Sequence, residues 1–218
     1  MATTIRTLVV SAWDPEVAPL GRLLDAAKPA RRDVALAAVG VGTVDAAVGA
    51  AAAIARVRPR RVIFVGTAGV YPGAARAHAI GAAALGGELR LVSTATLRGD
   101  AYHPAPLVAS AMTDEVLRAG LARAAEAPVA TAIVACPLAI TQTTALARRI
   151  AATGAALENL EAFAVARAAA AARLPFAAVL GVSNVVGPRA HTEWRANHLG
   201  ASRAACHVVW SFLRARRA

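Results

Sequence analysis

Two glutamates stand at the start of an Ala-rich stretch in the second half of the chain. Glu158 and Glu161 are three residues apart, and this spacing places both on one face of a predicted helix. The run that follows, Phe176–Val182, is apolar throughout and is typical of a strand buried on both faces. It delivers Ser183 and Asn184 at its carboxyl end, where ligands bind in open α/β sheets. The polar side chains there are therefore candidates to bind a ligand.

Two further strand ends carry groups that could belong to the same site. The first predicted strand, Thr7–Val10, is followed by a loop that ends at Glu16. This residue has two open interpretations, a catalytic carboxylate or a helix-start carboxylate stabilised by the helix dipole. The third predicted strand, Arg61–Val65, ends in Gly66-Thr67-Ala68-Gly69. Small residues at that point let the backbone approach a ligand closely, although the same sequence also suits a plain turn.

The elements that must position these residues alternate between strands and helices along the whole chain. Further strands are predicted at Val34–Val41, at Thr131–Ala135 and as a hairpin over Ala79–Thr96 around Gly86-Gly87, and helices at Met112–Ala124, from Thr144 to Ala152 and at Ala201–Arg216. Neither an internal repeat nor a linker interrupts them. The pattern predicts one α/β domain over residues 1–218, with helices on both faces of a parallel or mixed sheet.

Composition narrows the classes of function. The chain has 218 residues, and its 57% hydrophobic and 17% charged content excludes disorder and allows a sizeable core. Its net charge is +11, but the arginines are mostly scattered and aromatic residues make up only 4%, so we expect no nucleic-acid partner. Neither a secretory signal nor a membrane span is evident, which leads us to expect a cytoplasmic protein.

The cysteines and histidines predict neither a metal site nor a cofactor. Cys136 and Cys206 are far apart and have no metal-binding or redox spacing, so both are expected to be reduced packing residues. The five histidines show no ligand spacing either. His191 and His198 are expected to be polar groups of a loop after the Phe176–Val182 strand.

The segments NLEAFAVA, LPFAAVLGVSN and VVGPR together resemble the purine nucleoside phosphorylase/nucleosidase superfamily. The resemblance covers nearly the whole chain, and within the superfamily the ending SNVVGPR followed by Trp194 is most similar to the futalosine hydrolases. It implies a three-layer α/β/α sandwich around a mixed sheet, a homo-oligomer, and cleavage of the N-glycosidic bond of a small-molecule nucleoside. For futalosine, a step of menaquinone synthesis, the purine product would be hypoxanthine.

The resemblance also implies a role for each candidate residue. It makes Glu16 the residue that activates water and Glu161, after Leu160, the residue that binds the ribose hydroxyls; Glu158 is expected to be a solvated helix-start carboxylate. By the same resemblance, the substrate-binding residues further include Thr67, Ala68 and Gly69 beside the purine and ribose, Ser183 at the strand end, and Arg189 and Trp194 near the non-purine end of the substrate.

Asn184 stands where nucleosidases that cleave adenine carry an acidic Asp. An amide cannot act as a general acid, but it offers both a donor and an acceptor, which suits a 6-oxopurine such as hypoxanthine. Phosphorylases of this superfamily place an arginine after Asp-Pro to hold phosphate, whereas here Glu16 and Val17 follow. Hydrolysis is therefore expected over phosphorolysis. A methylthioadenosine/adenosylhomocysteine-type nucleosidase, a nucleoside phosphorylase, and a nucleoside- or RNA-binding protein stay open as alternatives.

Overall fold

A computed structural model describes residues 5–27 and 33–215, and these residues form eight strands and seven helices. In chain order the elements are β1 (Thr7–Ser11), α1 (Asp14–Ala26), β2 (Val34–Ala38), α2 (Thr43–Val57), β3 (Arg61–Val70), β4 (Ala83–Val92), α3 (Thr94–Arg98), β5 (Ser110–Met112), α4 (Glu115–Ala124), β6 (Ala130–Pro137), α5 (Thr144–Ala151), β7 (Leu157–Glu158), α6 (Ala162–Ala171), β8 (Phe176–Val185) and α7 (Ala190–Ala215). None of the helices in this part of the chain is long and apolar enough to span a membrane.

The eight strands form one mixed sheet. Strands β2, β1, β3 and β8 lie side by side and parallel, and β8 then pairs antiparallel with β4. On its other side β4 pairs with β6, whereas β5 pairs with a later part of β4 on the side that β8 occupies. The two-residue strand β7 joins β6 to β3. The strands β3, β8, β4, β6 and β7 therefore close into a ring, which brings the carboxyl ends of β3 and β8 next to β7.

Alternate side chains of β3 enter two different cores. Val62 and Phe64 pack in the core formed with α2 and α6, whereas Ile63 and Val65 pack in the core formed with α1, α4 and α7. This is the alternation expected of a strand that is covered on both faces. The mixed α/β fold with three layers, predicted from the sequence, is confirmed.

Four predicted boundaries are wrong in ways that bear on the site. Strands β3 and β8 run on to Val70 and Val185, so the residues expected just after them lie within the strands. The last helix begins at Ala190 rather than Ala201, and Arg216, its predicted end, lies outside the described residues. Neither Glu158 nor Glu161 is inside a helix, because α6 begins only at Ala162.

The predicted hairpin over Ala79–Thr96 is also wrong. Gly86 and Gly87 lie within one continuous strand, β4, at a point where its register with β6 shifts. A Cβ atom on Gly87 would lie 2.7 Å from the Thr131 side chain, which is closer than van der Waals contact permits. The two glycines therefore permit a register shift and a close contact between β4 and β6, and they do not form a turn.

Candidate active site

One cavity of about 400 Å³ opens where the carboxyl ends of β1, β3 and β8 meet the segment between β7 and α6. Nine of the ten predicted site residues line it: Glu16, Thr67, Ala68, Gly69, Leu160, Glu161, Ser183, Asn184 and Trp194. The exception is Arg189, which is absent from the lining. Its side chain is 85% exposed, and its guanidinium lies 3.4 Å from a carboxylate oxygen of Glu193.

Glu16 lies in the first turn of α1 and is only 4% exposed. Its Oε1 accepts hydrogen bonds from the backbone N–H of Thr67 at 2.8 Å and from the Thr67 hydroxyl at 2.9 Å. Its Oε2 is buried and has no partner among the described residues. Burial raises the pKa of Glu16 to about 7, despite the opposing effect of the bonds from Thr67. Near neutral pH the group can therefore both take up and release a proton.

Glu161 is buried beside the start of α6. Its Oε1 accepts a hydrogen bond from the backbone N–H of Gly42 at 2.8 Å, and burial raises its pKa above the usual range. Gly42 directly precedes α2, so this contact joins the two helices of one layer at the cavity. The carboxylate is thereby held at a fixed place in the wall of the cavity.

Asn159 was not singled out by sequence reasoning, yet it supports Glu161 directly. Its Oδ1 accepts from the backbone N–H groups of Glu161 at 3.1 Å and Ala162 at 2.8 Å, which caps the start of α6. Its Nδ2 donates to the Thr67 carbonyl at 3.0 Å and lies 3.3 Å from Glu161 Oε2. The available signal was an Asn just before a helical run, which is a common capping residue.

The expectation that Glu158 is solvated is wrong. It lies in β7, is 7% exposed and lines the cavity. Its Oε2 accepts a hydrogen bond from the Tyr71 hydroxyl at 2.6 Å, and its Oε1 accepts from the backbone N–H of Thr141 at 3.0 Å. Burial and this neighbouring carboxylate raise the pKa of Tyr71. Glu158 was missed because Tyr71 is 87 residues away in the sequence.

Ser183 and Asn184 are both buried near the end of β8. The Ser183 hydroxyl donates to Asn184 Oδ1 at 2.8 Å, and Asn184 Nδ2 donates to the Val185 carbonyl at 3.3 Å. An amide nitrogen carries two protons, so one remains for a ligand. A Cβ atom on Gly69 would lie 2.9 Å from this nitrogen, so the glycine leaves room for the Asn184 amide.

Trp194 is in α7, and its indole N–H donates to the Thr67 hydroxyl oxygen at 3.1 Å. Its ring stacks on His198 with 4.4 Å between centroids, and Trp13 and His191 lie within about 6 Å. The expectation that the two histidines belong to a loop is wrong, because both are in α7. Of these rings, Trp13, His191 and Trp194 line the cavity, and His198 packs behind Trp194 without lining it.

The charged groups of the lining all have the same sign. Glu16, Glu158 and Glu161 line the cavity, and no described Lys or Arg does. Such a wall attracts groups that carry or develop positive charge and repels anions. Within residues 5–27 and 33–215, no three His, Cys, Asp or Glu side chains are grouped so that they could hold a metal ion.

Comparison with solved structures finds the same fold in nucleoside-cleaving enzymes. The futalosine hydrolase of Helicobacter pylori superposes with a TM-score of 0.85 at 14% identity, covering 97% of this chain and 98% of that chain. The 5′-methylthioadenosine/S-adenosylhomocysteine nucleosidase of the same organism gives 0.84 at 12% identity, covering 97% and 99%. The corresponding nucleosidase of Streptococcus pneumoniae gives 0.83 at 19% identity, covering 97% and 100%. At these identities the likeness shows the fold alone.

The mixed sheet with helices on both faces is thus the nucleoside phosphorylase/nucleosidase type of fold. The chain belongs to the phosphorylase superfamily, whose family model matches residues 20–214. A search of curated proteins finds no match.

Proposed function

We propose that this protein hydrolyses the N-glycosidic bond of a purine nucleoside, and that the nucleoside is futalosine, cleaved to hypoxanthine and dehypoxanthine futalosine in menaquinone biosynthesis. The observation that carries the proposal is the buried carboxylate of Glu16, with a pKa of about 7, in a cavity whose charged groups are all acidic. Such a group can take a proton from water at neutral pH, and its neighbours favour a positively charged transition state.

Each residue then has a defined part in the reaction. Glu16 accepts a proton from water as the water oxygen bonds to the anomeric carbon of the ribose. Glu161 binds the ribose hydroxyls and stabilises the positive charge that develops on the sugar. The electron pair of the breaking C–N bond passes to the purine, which takes up a proton from solvent and leaves; Glu16 later returns its proton to solvent. The free amide proton of Asn184 holds the purine by a hydrogen bond.

The lining also supports hydrolysis over phosphorolysis. A phosphate ion in the cavity would face three acidic side chains, and no described Lys or Arg in the lining would balance its charge. Water carries no charge and meets no such repulsion. The described part of the lining therefore favours water as the nucleophile.

The choice of purine rests on Asn184. Asn184 lines the cavity, its Oδ1 already accepts one hydrogen bond from the Ser183 hydroxyl, and its Nδ2 keeps one proton that it can donate to a ligand. A donor suits the carbonyl oxygen or unprotonated ring nitrogen of a 6-oxopurine, and it cannot protonate adenine. This supports a hypoxanthine-bearing substrate.

A second candidate is an adenosine-type substrate with an uncharged substituent, such as 5′-methylthioadenosine. The specific observation that favours it is the position of Arg189. This residue was expected to bind a substrate carboxylate, yet its side chain is 85% exposed and lies outside the cavity lining. The two candidates differ in both the base and the substituent, so one comparison separates them.

The test is a substrate profile with futalosine, aminofutalosine, methylthioadenosine and inosine, each with and without phosphate. We expect hypoxanthine release from futalosine, with a rate that phosphate does not increase. Protein with Glu16→Gln, purified in the same way, controls for contaminating nucleosidases. Release only from methylthioadenosine would favour the second candidate, and a rate that requires phosphate would make the protein a phosphorylase. Nucleoside binding without turnover would refute the enzymatic proposal.

We also propose that the protein is a homo-oligomer in which α2 packs against a second copy of this chain. Helix α2 carries only two charged residues, Asp45 near its start and Arg56 near its end. Its outer face is therefore mostly apolar, and it includes Val44, which is 72% exposed, and Val48, which is 68% exposed. A helix that is apolar all round is normally buried, and a two-fold contact with antiparallel α2 helices would also bring opposite charges together.

A further inference from the structure

Three residues from three elements form a chain of hydrogen bonds that ends at Glu16. The Trp194 indole N–H donates to the Thr67 hydroxyl oxygen at 3.1 Å, and that hydroxyl donates to Glu16 Oε1 at 2.9 Å. The Thr67 backbone N–H donates to the same carboxylate oxygen at 2.8 Å. Trp194 is in α7, Thr67 in β3 and Glu16 in α1.

The direction of each bond follows from the donors available. An indole nitrogen can only donate, and a hydroxyl has one proton. Once the Thr67 oxygen accepts from Trp194, its own proton is directed to Glu16, since that carboxylate is the acceptor within reach. Oε1 then holds two donors, and the proton that Glu16 gains or loses belongs on Oε2, which has no partner among the described residues.

We propose that Trp194 is a positioning residue that acts on Glu16 through Thr67, fixing the Thr67 hydroxyl as a donor to Oε1 and leaving Oε2 as the oxygen that gains or loses the proton. The catalytic consequence rests on the proposed function, but the effect on Glu16 does not. An N–H that polarises a hydroxyl strengthens the bond the hydroxyl donates, which stabilises the carboxylate anion.

The surroundings hold the indole in place. Its ring stacks on His198 at 4.4 Å and meets Trp13 at 6.1 Å, so a phenyl ring at this position would keep the stacking partners while losing the N–H. Other titratable groups also face this site. The Glu161 carboxylate raises the pKa of Glu16, the Cys206 thiol donates to the Glu16 carbonyl at 3.2 Å, and His191 stacks on Trp194 at 5.9 Å. The proposed substitutions alter none of these groups.

The experiment measures the pKa of the Glu16 carboxyl directly, by carbon NMR of the full chain labelled at its glutamates, without a nucleoside. The resonance is assigned by its loss in Glu16→Gln. Trp194→Phe is expected to raise the pKa of Glu16 by roughly 0.1–0.3, because only the polarisation of the Thr67 hydroxyl is lost. Thr67→Val, which removes the hydroxyl, is expected to raise it by about 1. Thr67→Ser restores a hydroxyl, and the pKa should return toward its original value.

A double substitution shows whether Trp194 affects Glu16 through the Thr67 hydroxyl, which we call the relay, or by changing the structure of the site in another way. If Trp194 acts through Thr67, Trp194→Phe should leave the pKa of Glu16 unchanged when Thr67 is already Val. Trp210→Phe, an indole loss elsewhere on α7, is the matched control and should also leave it unchanged. An unchanged pKa in Trp194→Phe alone would overturn the proposal, and so would an equal rise in the Thr67→Val background.

The same variants show whether the relay matters for turnover. If the proposed hydrolysis is correct, the acidic limb of the pH–rate profile of Trp194→Phe should shift to higher pH by the same amount as the pKa measured by NMR. A protein that cleaves no nucleoside would refute the proposed function and leave the NMR result standing. A shifted rate profile with an unshifted NMR pKa would overturn the relay and leave the hydrolysis standing.

Discussion

Burial disfavours the Glu16 anion, and the hydrogen bonds from Thr67 and from the Ala12 backbone lower its pKa only part of the way back. The result is a pKa of about 7, set by burial against the bonds from Thr67. If it is the general base, Glu16→Gln should lower turnover by at least ~10²-fold with little change in binding. Activity of the unsubstituted protein should fall as the pH drops below about 7, since the protonated acid cannot accept a proton. Near-normal turnover in Glu16→Gln would reduce this residue to a buried helix-start carboxylate.

The same pKa makes a prediction about stability. Because the folded pKa of Glu16 lies above the unfolded value of about 4.5, the folded state holds this proton more tightly, and the free energy of unfolding falls as the pH rises from 4.5 to 7. The loss from this residue is roughly 3 kcal/mol. Denaturant unfolding at pH 5 and pH 8 should show a smaller decrease for Glu16→Gln than for the unsubstituted protein. Equal decreases would place the pKa of Glu16 near its ordinary value.

Asn184 bears on the choice of base. Asn184→Asp adds a group that can protonate adenine at mildly acidic pH and whose anion repels a 6-oxo group. The ratio of kcat/KM on futalosine to that on aminofutalosine should fall by a factor on the order of 10–100, the change expected if one hydrogen bond worth ~1.5–3 kcal/mol changes sign. A wild type that prefers the adenine compound, or a ratio that Asn184→Asp leaves unmoved, would argue against Asn184 as the reader of the base.

Among the elements, the start of α6 matters most for the site, because Asn159 both caps this helix and lies beside Glu161. Asn159→Ala removes the acceptor for two buried backbone N–H groups and a donor beside Glu161. We expect the free energy of unfolding to fall by about 1–2 kcal/mol and turnover to fall as well, because Glu161 loses a fixed neighbour. Asp114→Ala is the matched control: it removes the cap of α4, where Asp114 Oδ1 accepts from the Leu117 N–H at 2.7 Å. That variant should lose similar stability without losing turnover.

Glu161→Ala tests the side chain that this cap positions. If the carboxylate binds the ribose more strongly in the transition state, turnover should fall by more than the Michaelis constant rises. Steady-state rates on the best substrate of the profile measure both values. An unchanged rate at saturating substrate would remove Glu161 from the reacting part of the site.

The elements also show how far the sequence could lead. Strand and helix types were largely predictable, because apolar runs such as Phe176–Val182 are short and follow a proline, which favours a buried strand over a helix. The Gly86-Gly87 pair misled, because a glycine pair fits both a turn and an irregular strand, and only the contact with Thr131 in β6 decides between them. Glu158 misled for a similar reason. Its burial depends on Tyr71 and on the pairing of β7 with β3, which local patterns do not encode.

For the whole molecule, the positive charge of the chain and the acidic cavity are separate features. The chain has a net charge of +11, yet the charged groups that line the cavity are three carboxylates and no described Lys or Arg. The described arginines lie outside the cavity lining, so they can act on a substrate only through the long-range field around the molecule. This separation could not be predicted from composition, because it depends on which side chains the strand ends bring inward.

The outer face of α2 carries the prediction at the largest scale. If α2 packs on a second copy, Val44→Glu with Val48→Glu should convert an oligomer into a chain of 22.1 kDa, because burying carboxylates against an apolar face is unfavourable. Sedimentation velocity measures the mass directly. Val116→Glu on α4 is the matched control, since Val116 is 73% exposed, and it should leave the mass of the oligomer unchanged. Val41 and Ile140 line the cavity and are exposed in the single chain. We expect the second copy to cover this side of the cavity, so loss of the contact should also weaken nucleoside binding. A wild type that sediments as a single chain, or an oligomer that survives both valine substitutions, would place any contact between copies elsewhere on the surface.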